Sequence, residues 1–198
     1  MKHLPTRKTN RLKNYDYSQN GAYFITICTK NHAELFGNIV NTPYDQTPLV
    51  GANLVRPLCV RPLCVRPQLS AIGNAVEHEI NEIKNAYDNV TVDKYVIMPN
   101  HVHMIIKIQN DGIGGRTRFA PTISRIIKQT KGLVTKQIGF SPWQKSFHDH
   151  IIRNEQEYAK IAEYIENNPV NWQKDCFHPA NTTTPVGANL VRPHIALI

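Results

Sequence analysis

The sequence has no apolar run long enough to cross a bilayer; its apolar stretches are short and broken by His, Lys or Pro, whereas a spanning helix needs about 20 such residues in succession. It is poor in cysteine, with four in 198 residues, and none of them forms a Cys-x-x-Cys pair. Two of the four, Cys59 and Cys64, sit inside a sequence repeat, so neither a disulfide framework nor a zinc knuckle is supported and reduced thiols are expected for Cys28, Cys59, Cys64 and Cys176. No apolar segment follows the basic first thirteen residues, so they read as a basic arm rather than a secretory signal, and a soluble, cytoplasmic protein is expected. The Gly-Ile-Gly-Gly string at 112–115 lacks a Gly-Lys-Ser/Thr ending and a strand-to-helix setting, so it reads as a plain loop rather than a phosphate cradle. Acidic residues are outnumbered, 15 against 23 Lys plus Arg, which gives a net charge of +8 and a pI near 9.4. That excess favours a polyanionic partner, nucleic acid or an anionic membrane surface, without choosing between them.

What is present suffices for one core. Hydrophobic residues make up 41% and charged residues 19% of the chain, a composition that folds. Residues 22–29 (AYFITICT) are β-branched and aromatic and read as a buried strand. Residues 70–87 begin with Ser70 and place Ile72, Val76, Ile80, Ile83 and Tyr87 at helical spacing. Two strands, 91–98 and 101–108, are separated by Pro99 and Asn100, which is hairpin punctuation. After a Gly-rich basic loop at 109–120 come a basic amphipathic helix following Pro121, a strand at 146–153 and a helix at 155–168 that must stop before Pro169. Strand, helix, strand, strand, helix, strand, helix is the ferredoxin-like pattern with an added helix. It predicts an α+β fold with a mostly antiparallel sheet and helices packed on it.

One region stands apart. Residues 55–69 read VRPLC, VRPLC, VRPQL, and the octet VGANLVRP occurs identically at 50–57 and 186–193. Five of the thirteen prolines fall between Pro43 and Pro67, so a repeat-derived, Pro-rich insertion is expected at about 41–69, neither helix nor central strand. The expected organisation is a single domain over 1–172 carrying that insertion, followed by a tail at 173–198.

Chemistry concentrates in HVHMIIKI. Strand alternation puts His101 and His103 on one sheet face, with Val102, Met104, Ile106 and Ile108 on the other. Two imidazoles at i and i+2, about 7 Å apart along the strand, can converge on one divalent cation. With nine histidines in the chain a lone His-x-His is weak evidence, and a rival occurs at His148-Asp149-His150. The last helix offers two tyrosines, Tyr158 and Tyr164, and only Tyr164 has an asparagine, Asn168, one turn later on the same face.

Read together, RLKNYDYSQNGAYFITICT, YVIMPNHVHMIIKI, FHDHIIRN and EYIENNPV resemble the HUH endonuclease superfamily, and within it the single-tyrosine, REP-associated tyrosine transposases. The resemblance covers about 7–172 apart from the insertion. It implies the HUH form of the ferredoxin-like fold with the nucleophile on the last helix. It also implies a residue assignment: His101, His103 and Asn168 hold Mg²⁺ or Mn²⁺, Tyr164 is the nucleophile, and His150 supports, while His148 has no counterpart in the resemblance and is expected to face solvent. Attack by Tyr164 would leave a 5′-phosphotyrosine and a free 3′-hydroxyl, conserving the phosphodiester energy for strand transfer.

The implied partner is single-stranded DNA beside a palindromic-repeat hairpin, bound by a monomer or a homodimer, with no membrane. Arg7, Lys8, Arg11, Lys13, Arg116, Arg118, Arg125, Lys128 and Lys131, with Lys136, are candidate phosphate contacts, and Tyr15, Tyr17 and Phe119 candidate stacking residues. A catalytically decayed nucleic-acid-binding module on the same fold stays open, as does a hydrolytic metal nuclease that would need no tyrosine.

Overall fold

The computed structural model describes residues 15–43, 63–110 and 121–181. Along the chain the elements are β1 (Gly21–Cys28), a 3-10 turn (Lys30–His32), β2 (Gly37–Pro43), β3 (Leu63–Leu69), α1 (Ala71–Asn81), α2 (Ile83–Ala86), β4 (Val90–Ile97), β5 (His101–Ile108), α3 (Ile123–Ile138), β6 (His148–Ile152), α4 (Glu155–Asn167) and two further 3-10 turns, Trp172–Lys174 and Pro179–Asn181. β1 and β5, both dominated by β-branched and aromatic residues, pair antiparallel from Gly21↔Ile108 to Cys28↔His101. β4 adds beyond β5 and β6 beyond β1, so the order is β4-β5-β1-β6 with every pairing antiparallel. This is the ferredoxin-like sheet expected from the element order.

Alternation divides the side chains into two layers. Tyr23, Ile25 and Ile27 of β1 join Val102, Met104, Ile106 and Ile108 of β5 under Val76 and Ile80 of α1 and Ile123, Ile126 and Val134 of α3. The opposite face carries Phe24 and Ile105, covered by Ile161 and Ile165 of α4 and by Trp172 and Phe177. The three longer helices, α1, α3 and α4, each start on a side-chain cap that satisfies an otherwise orphaned backbone N–H: Ser70 accepts from Gly73, Thr122 from Arg125 and Asn154 from Glu157. α3 ends on Gly139, whose φ of 83° is left-handed and suits glycine.

Residues 63–69, inside the expected insertion, are extended but not central: they pair antiparallel with Gly37–Pro43 as a separate two-stranded ribbon. Proline is compatible with this because a two-stranded ribbon has only edge strands, where Pro67 opposite Ile39 breaks no second ladder. Residues 44–62 of the expected insertion lie outside the described residues. The folded unit also continues past 172: Trp172, Asp175 and Phe177 are buried, so the expected tail begins inside the second core layer.

α1 docks on the chain just before the ribbon. Ser70 N donates to Phe36 O at 2.9 Å and Ser70 Oγ to Leu35 O at 2.6 Å, which brings Gly73 against the Phe36 carbonyl. A Cβ on Gly73 would stand 2.0 Å from that oxygen, whereas one on Gly132 in α3 would meet nothing within 4 Å. Gly73→Ala should therefore cost about 1–3 kcal/mol of stability. Gly132→Ala should be neutral or stabilising by up to about 1 kcal/mol. Urea unfolding of both variants tests this, and equal midpoints would contradict the close approach.

Candidate active site

The register of β5 on β1 places Thr26 opposite His103 and Cys28 opposite His101, all on the face that α4 covers. Both imidazoles are fully buried. His103 Nδ1 lies 2.9 Å from Thr26 Oγ1. Asn100, in the β4–β5 turn, spends its amide N–H groups on Phe177 O at 2.7 Å and His32 O at 3.2 Å, so its oxygen accepts from His101 Nδ1 at 2.8 Å. That bond places the His101 proton on Nδ1 and leaves the Nε2 lone pair facing the centre.

α4 brings Tyr164 over the pair. Its hydroxyl stands 3.3 Å from His103 Nε2, and its ring sits edge-on to Phe24, which stacks against His103. One turn later Asn168, 2% exposed, ends the helix. Its Nδ2 donates to Asp175 Oδ2 at 3.2 Å, and that oxygen is 4.0 Å from His101 Nε2. The ligand atoms of His101, His103 and Asp175 all lie within 4.8 Å of one another. Phe177 packs on His101 with ring centroids 4.7 Å apart, closing the back of the centre.

Burial dominates the electrostatics. It holds the pKa of His101 well below 6.5, with the neighbouring His103 adding to the effect, and pulls that of His103 down to about 3. Both rings are therefore neutral at pH 7 and offer lone pairs rather than charge. Burial also raises the Tyr164 phenol above its ordinary value, and the Asp175 charge adds to this. Two buried polar atoms in the centre, His101 Nε2 and Asn168 Oδ1, have no well-formed hydrogen-bond partner. Neutral imidazole nitrogens, an inward amide oxygen and a carboxylate are donors of the kind that hold a divalent cation, so the residues present fit such an ion.

The structure thus brings together Tyr164, His101, His103 and Asn168. It keeps the rival tyrosine apart, since Tyr158 donates to the Asp93 carboxylate and lies under Lys107, whose Nζ is 4.6 Å from the ring centroid. His150 binds Glu157 Oε1 through Nε2 at 2.7 Å, and Glu157 Oε2 accepts from Arg153 N, so His150 ties β6 to the start of α4. His148, expected to face solvent, is half-buried instead: it stands opposite Thr26 and lines a small cavity with Thr26, Cys28 and Phe147.

The basic residues divide. Arg125 and Lys128 are exposed on α3, in the layer opposite Tyr164. Lys131 is not a free phosphate contact: its Nζ donates to Gln144 O at 3.0 Å and Ser146 O at 2.6 Å, holding the loop before β6. Tyr17 is buried in the core against Tyr15 and Tyr23 rather than presented to a base. Arg7, Lys8, Arg11, Lys13, Arg116, Arg118 and Phe119 lie outside the described residues. Sequence reasoning missed Asn100, Thr26 and Asp175. The one available signal for Asp175 was its position between two aromatics, Trp172 and Phe177, in a stretch otherwise read as tail.

A ferredoxin-like sheet with a His-x-His pair on a central strand and a tyrosine helix across it defines the class of the molecule. Residues 66–168, just over half of the chain, match the family described as Transposase IS200 like, and the chain belongs to that family. It is 34% identical over 188 residues to an uncharacterized protein of Haemophilus influenzae, covering 85% of this chain and 91% of that one. It is 26% identical over 122 residues to an H. influenzae protein provisionally named a REP-associated tyrosine transposase, covering 50% of this chain and 69% of that one. Its fold matches a REP-associated tyrosine transposase solved bound to a REP hairpin, with a TM-score of 0.54 at 20% identity over 88% of both chains.

The assignment of Lys131 to structure carries a pH signature. Burial pulls its pKa from 10.5 down to about 8, so between those values the unfolded chain binds this proton more tightly and stability rises with pH. Below pH 8 the full cost of burying the ammonium applies. The melting-temperature difference between wild type and Lys131→Met should therefore move in favour of wild type from pH 8 towards 10.5. A flat difference would return Lys131 to the surface.

Proposed function

We propose that the protein is a single-stranded DNA nickase and strand transferase, a transposase acting through a 5′-phosphotyrosine formed on Tyr164. The observation that carries this reading is the Tyr164 hydroxyl 3.3 Å from His103 Nε2, beside His101 and Asn168, in one chain.

Phe24, edge-on to the ring, and His103, within reach of the hydroxyl, orient the nucleophile. The hydroxyl lies 3.3 Å from His103 Nε2; because that nitrogen would hold the cation, the phenol proton leaves to solvent water rather than to the imidazole. A divalent cation, Mg²⁺ or Mn²⁺, held by His101, His103 and Asn168 would supply the positive charge that favours phenolate and polarises the scissile phosphate. The Tyr164 oxygen then bonds to phosphorus as the bond to the 3′-oxygen breaks, giving a tyrosine phosphodiester on the 5′ side and a free 3′-hydroxyl. A second 3′-hydroxyl reverses the step and joins strands without ATP. The expected substrate is single-stranded DNA beside a hairpin of a palindromic repeat. The hairpin named for the solved relative of the same fold, the provisional name of the H. influenzae relative and the net charge of +8 support that choice.

The test is a denaturing gel of protein with labelled single-stranded DNA from the flanks of its own gene, with and without Mg²⁺ or Mn²⁺. Label should migrate with wild type and with Tyr158→Phe only when metal is present, and at least about a hundredfold less with Tyr164→Phe, as expected when a covalent nucleophile is removed. Cleavage retained by Tyr164→Phe would make the protein a hydrolytic nuclease. Hairpin binding without any covalent band would make it a binding module.

A further inference from the structure

We infer that Asp175 is a member of the cation site, its Oδ2 ligating the divalent ion beside His101 and His103 while the same carboxylate turns the Asn168 amide oxygen inward. This rests on the reading of a cation at the histidine pair. It extends the site beyond residues 66–168, where the family match ends, into a turn that the sequence alone presents as tail.

The chain folds back to reach the centre. After α4 the backbone bonds Asn171 N to Asn167 O at 3.1 Å and Lys174 N to Asn171 O at 2.8 Å carry it round, and Trp172 and Phe177 seat the turn against His101. Asp175 is held in one orientation by that turn. Its Oδ1 accepts from Phe177 N at 2.7 Å, so Oδ2 is the oxygen that faces the pair, 4.0 Å from His101 Nε2. Asn168 Nδ2 donates to the same Oδ2 at 3.2 Å. A carboxylate can only accept here, so this bond decides which end of the Asn168 amide points where: nitrogen to Asp175, oxygen into the centre, where it has no well-formed hydrogen bond.

Charge argues in the same direction. Asp175 is 8% exposed, and among the described residues no lysine or arginine pairs with it; His101 Nε2 stands 4.0 Å away on a neutral ring. A carboxylate removed from water without a cation is costly, and two polar atoms left without a well-formed hydrogen bond beside it, His101 Nε2 and Asn168 Oδ1, compound that cost. A divalent ion satisfies the set at once. His101, His103 and Asn168 bring no charge of their own to such an ion, so Asp175 is the member that offsets part of its +2. Two imidazole nitrogens with a carboxylate oxygen also suit Mn²⁺ better than Mg²⁺, which prefers oxygen and retained water.

Mn²⁺ binding to the full-length protein without DNA, followed by the loss of the free-ion electron paramagnetic resonance signal, tests this apart from activity. Asp175→Asn keeps an acceptor for Phe177 N–H, and it should weaken Mn²⁺ binding at least tenfold; His103→Ala should weaken it at least as much. Asp175→Asn binding within twofold of wild type, with His103→Ala impaired, would overturn the role of Asp175 and leave the histidine centre standing. No Mn²⁺ binding by wild type, or none lost in His103→Ala, would overturn the centre itself. Should Asp175→Asn fail to fold, wild type is treated with Fe²⁺, ascorbate and peroxide and the oxidative damage mapped by mass spectrometry. Damage at both 101–103 and 174–176, suppressed by excess Mn²⁺, is the expected pattern; damage at 101–103 alone overturns the proposal.

Discussion

The antiparallel register of β1 on β5 is the constraint from which the rest of the molecule follows. β5 lies between β1 and β4 with both faces covered, so its alternation must serve two layers at once. Val102, Met104, Ile106 and Ile108 fill the layer under α1 and α3, and the same period delivers His101 and His103 to the other side. A slip of one residue would drive both imidazoles into the apolar layer and turn Val102 and Met104 towards Tyr164, so the hydrophobic burial that stabilises the sheet also specifies the site. The Pro99–Asn100 turn reinforces the register. Met98 N reaches His101 O at 2.8 Å, and Thr29 N reaches Asn100 O at 2.9 Å, which ties the hairpin to the end of β1.

Burial then sets the chemistry available. Fully buried imidazoles are neutral lone-pair donors, and a buried phenol resists losing its proton; both effects come first from removing water, with His103 adding to the shift of His101 and Asp175 to that of Tyr164. As the proposed nucleophile, Tyr164 is held beside His101 and His103 but short of positive charge. The only formal charge packed into the centre by the described residues is negative, on Asp175. A site so constituted is matched to a cationic partner, since that one addition satisfies the carboxylate and favours the phenolate together.

Much of this was legible in the sequence because the elements that matter carry local signals. The alternation in HVHMIIKI, the Pro-Asn turn, the Ser70 cap and the single tyrosine followed one turn later by asparagine each depend on residues near one another in the chain, and each stands in the structure where the pattern placed it. The misses are non-local. Asp175 joins the centre only because Trp172 and Phe177 find cover in a layer built by β1, β5 and α4, and no periodicity in a short turn announces that. Lys131 reads as one more basic residue on a basic helix until the loop before β6 places two carbonyls around its ammonium. His148 was read as solvent-facing, yet strand alternation puts it on the sheet face of His150 and Thr26. The ribbon was missed for a different reason: proline argues against central strands, and the ribbon offers edges alone.

α4 shows how the site tolerates a weakly apolar helix. Its buried residues are Ile161 and Ile165, a stripe too narrow to fix the rotation of the helix about its own axis. Rotation is nevertheless what decides whether Tyr164 meets His103. Polar contacts along the helix supply the missing direction: Glu157 bridges His150 and the Arg153 N–H at the start, Tyr158 reaches Asp93 in β4, Glu166 pairs with Lys94, and Asn168 reaches Asp175 at the end. The exposed Lys94–Glu166 pair contributes only about 0–1 kcal/mol, so its importance is geometric. Apolar burial holds α4 on the sheet, and the polar contacts choose the face it presents. Tyr164, one residue before the buried Ile165, therefore sits at the edge of the stripe, with its ring against Phe24 and its hydroxyl turned to the histidines.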